Sequence, residues 1–197
     1  MTELLVVSSG TGPNSSSRLL GTRLGEAAAA VLAETGEQAV VHHLELRTIA
    51  SDLANHLVTG VPSTKLDEAF AQVRAADGVI AVTAVYNGSY TGLFKLFFDA
   101  LGRDLMRGRP VLPAATGGTA RHSLVIEYAM VPLFYYLRAL VSSVPVFAAT
   151  ADWGASVGLD ARIEDAARAF VELIRTSHPD KSDPSFDVTD FSRLLGG

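Results

Sequence analysis

A chain of 197 residues with 48% hydrophobic residues is ample for one large core and short of the ~250 residues beyond which chains tend to divide. It has no cysteine, which excludes disulfide frameworks, iron–sulfur clusters, thiolate zinc sites and thiol nucleophiles. A formal charge of −5 with no basic run excludes broad phosphate-backbone binding, so nucleic acid is not an expected partner.

Taken in order, short β-rich runs alternate with longer amphipathic segments, the pattern of βαβ units around a parallel sheet buried on both faces. Strands are predicted at Glu3–Ser8, Gln38–Leu44, Gly78–Thr83, Pro110–Ala115 and Val144–Ala149. Helices are predicted at Ser16–Glu34, Ser63–Ala76, Thr91–Leu101, Arg121–Val141 and Asp160–Thr176. In the last, Ile163, Ala167, Phe170 and Ile174 form an apolar stripe. The helix at 91–101 carries Leu93, Phe94, Leu96, Phe97, Phe98 and Leu101 on more than one face, and 128–140 is similarly apolar, with Pro132 expected to kink it. A subunit interface on both helices, giving a homodimer or homotetramer, is expected to explain this surplus; the blander alternative is cover by the segment Arg47–Val61 within one chain.

Residues 1–178 read as one domain, and 179–197 as a polar C-terminal tail. The longest apolar stretch, Leu124 to Val144, contains Glu127, Pro132 and Arg138, whereas a spanning helix wants ~20 largely uncharged residues. The N-terminus lacks a basic or signal-type segment, so a cytoplasmic protein without membrane association is expected.

Ligands of a doubly wound sheet bind beyond the carboxyl ends of its strands, and three strand-ending loops there carry the candidate chemistry. The first runs from Ser8 to Arg18 and supplies Ser9, Thr11, Ser15, Ser16 and Ser17 hydroxyls, the amides of a helix N-terminus and the Arg18 guanidinium, a combination suited to a phosphate dianion. Gly10 and Gly12 make a G-x-G, yet Ser15 replaces the third glycine of a dinucleotide fingerprint, and an ordinary serine N-cap is the plainer interpretation. The second loop, Thr83-Ala84-Val85-Tyr86-Asn87-Gly88-Ser89-Tyr90-Thr91-Gly92, has an Asn-Gly turn and a flat Tyr86 face suited to a planar ring. The third, Ala115-Thr116-Gly117-Gly118-Thr119-Ala120-Arg121-His122, has glycines that admit close backbone approach and hydroxyls for a polar edge. Either of these is otherwise a surface turn.

In these three motifs the sequence resembles the NAD(P)H-dependent FMN reductases of the flavodoxin-like superfamily, which supply reduced flavin to two-component monooxygenases. Ser9 to Arg18 is similar to the family's serine-rich phosphate loop. Thr83 to Lys95 resembles its T-P-x-Y-N-x-S-x-S-G-x-x-K stretch, which lines the ribityl chain and isoalloxazine. Ala115 to His122 resembles its A-T-G-G-x-x-x-H loop at the pyrimidine edge. Ala84 replaces the usual proline, Thr91 a common serine, and Val131 an arginine that often precedes Pro-Leu. Glu127-Tyr128 is similar to an Asp-Tyr pair in a helix that helps to form the family's oligomer.

The resemblance implies an α/β three-layer sandwich with a five-stranded parallel sheet of order 2-1-3-4-5. It also implies FMN as cofactor, NADH or NADPH as hydride donor, and a flavin-dependent monooxygenase as consumer. The cofactor carries the hard chemistry, so no catalytic acid, base or metal is assigned. His122 is a candidate for the ring or phosphate and Arg121 for the flavin edge or the phosphates of NAD(P)H, while His42, His43, His56 and His178 read as structural or solvated. An FMN-dependent quinone or azo reductase would use the same site. A flavodoxin-like electron carrier would also bind FMN there, and a nucleotide-binding module would do so without chemistry.

Overall fold

The computed structural model describes residues 1–102, 104–154, 156–179 and 181. The expected tail, apart from Pro179 and Lys181, lies outside the described residues.

The strands are β1 (Thr2–Ser8), β2 (Ala39–Glu45), β3 (Gly78–Tyr86), β4 (Ser89–Tyr90), β5 (Pro110–Gly117), β6 (Leu140–Val141) and β7 (Val146–Ala149). The α-helices are α1 (Ser16–Glu34), α2 (Ala50–Thr59), α3 (Thr64–Ala75), α4 (Gly92–Ala100), α5 (Val131–Tyr136) and α6 (Ser156–Thr176). The parallel core runs β2-β1-β3-β5, with β6 and β7 both on the outer edge of β5 and β4 folded back antiparallel on β3. This is the flavodoxin-like doubly wound arrangement.

Period-two alternation divides each central strand between the two faces. Leu5, Val7, Val79, Ala81, Val111 and Ala115 join the core on one face, with Leu66 and Val73 of α3 and Phe94, Phe97 and Phe98 of α4. Leu4, Val6, Ile80, Val82, Leu112 and Ala114 face the other way, onto Leu20, Leu24 and Leu32 of α1 and Ile163, Ala167 and Phe170 of α6. Helix α1 lies so close to the sheet that a Cβ on Gly21 would come within 2.6 Å of Val6.

The expected count of five strands is corrected to seven among the described residues. The two-residue β4 follows from the Asn-Gly turn: Asn87 (φ 51) and Gly88 (φ 81) both take positive φ, the backbone of a type I′ hairpin, which pairs Tyr86 with Ser89. The other addition arises at the edge, where β6, at the end of the segment expected to be helical, precedes β7, which matches the expected fifth strand. Between the pairings Val111↔Val141 and Ala114↔Val146, β5 advances three residues and its neighbour five. The gap lies opposite Leu112 and Pro113, and Pro113 has no N–H for either neighbour.

The single helix expected at Arg121–Val141 is also corrected. A 3₁₀ turn at Ala120–His122 is followed by a π-helical turn at Ile126–Met130, then α5, then β6. Pro132 cannot donate to Tyr128, and Val131 N–H reaches back five residues to the Ile126 carbonyl. Arg138 (φ 59) ends α5: its N–H bonds to the Tyr135 carbonyl and that of Ala139 to Phe134, a Schellman closure with arginine where glycine is usual.

The phenylalanines of helix α4 are accounted for within the chain. Phe94, Phe97 and Phe98 are buried within the chain, Phe98 and Phe134 meet edge to face at 5.1 Å, and α2, from within the segment Arg47–Val61, packs against α4. By contrast Tyr128, Tyr135 and Tyr136, from the π-helical turn and α5, remain exposed.

Candidate functional site

The loops that follow β1, β3 and β5 meet at the carboxyl end of the sheet around a cleft of about 420 Å³, within the range of small-molecule sites. Residues 10–17, Ala84, Tyr86 and Thr116 line it. Of the sequence candidates the cleft therefore gathers Thr11, Ser15, Ser16, Ser17, Ala84, Tyr86 and Thr116.

Ser15 caps α1, its Oγ accepting from the Arg18 N–H at 3.1 Å, and so fixes where the helix's free N–H groups begin. Gly10 passes tightly beneath this cap: a Cβ there would lie 2.1 Å from Ser15 Oγ. Thr11 Oγ1 and Tyr86 Oη share a hydrogen bond of 3.1 Å across the mouth, joining the first loop to the second. At the floor, buried Ser17 and Thr116 pair at 3.0 Å and tie α1 to the end of β5.

Two candidates, Ser9 and Thr83, lie buried behind the cleft and form a one-way hydroxyl chain with Thr91. Thr91 Oγ1 donates to Ser9 Oγ at 2.8 Å, Ser9 donates to Thr83 Oγ1 at 3.0 Å, and Thr83 donates to the Ala84 carbonyl at 2.9 Å. Thr91 also caps α4 by accepting the Phe94 N–H, and its own N–H bonds to Thr83. This clamp fixes the first two loops to each other. Thr91 belongs to the sequence motif, but its positioning role has no signature in the sequence alone. Thr91→Val is expected to cost about 2 kcal/mol, the sum of a lost cap and a Ser9 oxygen deprived of its donor. Urea denaturation checks this, with Thr91→Ser restoring stability; a valine variant as stable as the serine one would refute the clamp.

The remaining candidates are not brought to the cleft wall. Val85 pairs with Tyr90, Asn87 and Gly88 form the turn tip, and Ser89 sits opposite Tyr86. Gly117 ends β5, and Gly118, Thr119 and His122 belong to the rim after it, where Thr119 caps the short turn containing exposed His122. A Cβ on Gly117 would lie 2.9 Å from Phe147, so this turn folds closely over β7.

Arg18 occupies an adjoining cleft with Pro13, Asn14, Ser15, Leu19 and Thr22. Its Nε pairs with Glu45 at 3.1 Å and its Nη1 donates to the Pro13 carbonyl at 3.3 Å. Burial first, and then the Arg18 guanidinium, hold the nearby His43 imidazole below its ordinary range.

The cleft residues fit FMN chemically. Hydroxyls and a helix N-terminus offer donors to a phosphate, no carboxylate is among the described residues that line the cleft, and the phenol of Tyr86, half exposed, offers a ring surface.

Comparison with known proteins agrees with the motifs. Residues 2–154 match the family model described as NADPH-dependent FMN reductase. The chain is 39% identical over 155 residues to the NADH-dependent FMN reductase SfnE of Pseudomonas putida, covering 76% of this chain and 83% of that protein. It is 35% identical over 150 residues to an FMN reductase (NADPH) of Pseudomonas aeruginosa, covering 73% and 81% of the two chains. The crystal structure of an oxidoreductase from Corynebacterium diphtheriae superposes with a TM-score of 0.86 at 42% identity, over 89% of this chain and 97% of that one. Sequence, fold and relatives thus converge, and the chain belongs to the NADPH-dependent FMN reductase family.

Proposed function

We propose that the Gly10–Ser17 loop holds the phosphate of FMN, that the Tyr86 loop and the rim after β5 flank its ring, and that reduced flavin passes to a partner monooxygenase. As a member of its family the chain is an oxidoreductase that reduces FMN at the expense of NAD(P)H. The observation that carries the site assignment is the cradle of hydroxyl and amide donors at the end of β1, with no carboxylate among its described lining residues and open beside Tyr86.

When bound, FMN supplies the hydride-accepting chemistry, and the chain needs no dedicated acid or base. Its own residues orient and enclose. Ser15 and Ser16 present donors at the start of α1, Ser17 and Thr116 close the floor, and the Thr11–Tyr86 bond steadies the wall on which a ring is placed. Thr91, Ser9 and Thr83 keep the loops in register without touching the ligand.

The relatives include an NADH-dependent and an NADPH-dependent reductase, so the nicotinamide is a choice to be measured. No helix among the described residues is long and apolar enough to cross a membrane. Consumption of reduced nicotinamide fits a cytoplasmic setting. Exposed Tyr128 and Tyr136, beside a groove of about 580 Å³ shared with α4, support association with further copies of the chain as a dimer or tetramer.

Steady-state oxidation of NADH and NADPH, with FMN, FAD or riboflavin as acceptor, tests the reading. Turnover is expected with FMN and one or both nicotinamides, together with FMN binding at micromolar concentration. No binding and no flavin-dependent oxidation would refute it.

A further inference from the structure

Resting on this FMN reading, we propose that Glu45 holds Arg18 outside the phosphate cradle and so keeps FMN exchangeable. Arg18 stands in the first turn of α1, where a guanidinium is well placed to strengthen anion binding. Its Nε is instead engaged by Glu45 Oε1 at 3.1 Å, while the other carboxylate oxygen accepts from Arg47 Nε at 2.9 Å. Glu45 ends β2 in register with Ser8, the last residue before the phosphate loop, and is more enclosed than Arg18. The carboxylate is therefore a fixed anchor, and the arginine is the mobile partner drawn to it.

The cleft that contains Arg18 shares Pro13, Asn14 and Ser15 with the cradle, so the guanidinium lies in a cleft adjoining the proposed phosphate position. Through this pair Glu45 neutralises a cation that would otherwise stand beside the cradle. The donation from Arg18 to the Pro13 carbonyl is long, at 3.3 Å, and the loop is independently fixed by the Ser15 cap. Loss of the ion pair therefore leaves the cradle standing while freeing a positive charge beside it. A flavin held mainly by hydroxyls and amides, with the arginine of the adjoining cleft restrained, suits a protein that hands FMN on.

The test is a flavin-fluorescence titration of the full chain with FMN and with riboflavin, which lacks the phosphate. Wild type, Glu45→Gln, Arg18→Gln and the double variant are compared. Glu45→Gln is expected to tighten FMN roughly three- to tenfold with riboflavin nearly unchanged, the gain shrinking at high salt and vanishing in the Arg18→Gln background. Unchanged or weaker FMN binding in Glu45→Gln, an equal gain for riboflavin, or a gain that persists without Arg18 overturns the proposal while wild-type FMN binding stands. A wild type that binds neither flavin overturns the FMN reading and this inference with it.

Discussion

Gly10→Ala is expected to weaken FMN binding at least tenfold, or about 1.4 kcal/mol, while leaving a folded protein. The added methyl would lie 2.1 Å from Ser15 Oγ and 2.4 Å from Ser15 Cβ, separations that neither residue tolerates. Ser15 cannot yield without abandoning the Arg18 N–H that it caps, which costs the helix about 1 kcal/mol. Otherwise the loop itself must move, which separates Thr11 from Tyr86 and opens the wall between the first two loops. Either route misplaces the donors meant for the phosphate. Riboflavin, which does not use them, should lose less affinity than FMN. Parallel titrations with the two flavins check the prediction, and equal affinities for FMN in the variant and the wild type would refute this role for Gly10.

The largest loss of stability is expected at the opposite end of the sheet. Arg109, just before β5, is 1% exposed, and its guanidinium donates to the carbonyls of Leu105 at 3.0 Å, Arg74 at 3.1 Å and Ala76. It thereby satisfies the end of α3 and ties that helix to the turn that enters β5. Arg109→Met keeps most of the apolar volume and removes the cost of burying a cation, yet it leaves three carbonyls without this donor. At about 1 kcal/mol or more for each orphaned acceptor, a loss near 3 kcal/mol is expected. Urea denaturation of the variant gives the figure. A loss below about 1 kcal/mol would show that water or backbone movement replaces the guanidinium. FMN affinity of the folded fraction should be unaffected, because the cleft lies at the other end of β5.

Much of this architecture is legible in the sequence. The strands that build the middle of the sheet are continuous apolar runs whose predicted bounds fall within a few residues of the observed ones. The same holds for α1 and α3, whose serine caps at Ser15 and Ser63 mark their starts. Helix α2 is absent from the predicted elements although Ala50, Leu53, Ala54 and Leu57 fall at helical spacing, because the stripe is only ten residues long and Leu53 is the one residue in it that is buried. The stretch after His122 misleads through its hydrophobicity: composition predicts a long helix, but backbone chemistry at Pro132 and Arg138 divides it. The aromatic excess of α4 is plain in the sequence, but its direction is not, since burial depends on neighbours that periodicity does not name. At the site, the serine-rich loop and Tyr86 are visible as residue types suited to a ligand. That Ser9 and Thr83 spend their hydroxyls on Thr91, and Arg18 its charge on Glu45, depends on three-dimensional neighbours, 74 and 82 residues apart for Ser9 with Thr83 and Thr91.

The divided margin of the sheet also bears on how the folded chain avoids unwanted company. A long uninterrupted border strand is a template on which a strand from another molecule can grow the sheet, the first step of many aggregates. Beyond β5 that border is two short pieces, of two and four residues, out of step with each other and joined through Pro145, which has no N–H to give. An incoming strand finds no consecutive row of partners there. Restoring one, by deleting the two surplus residues between the pieces, would make a smoother sheet and a stickier protein.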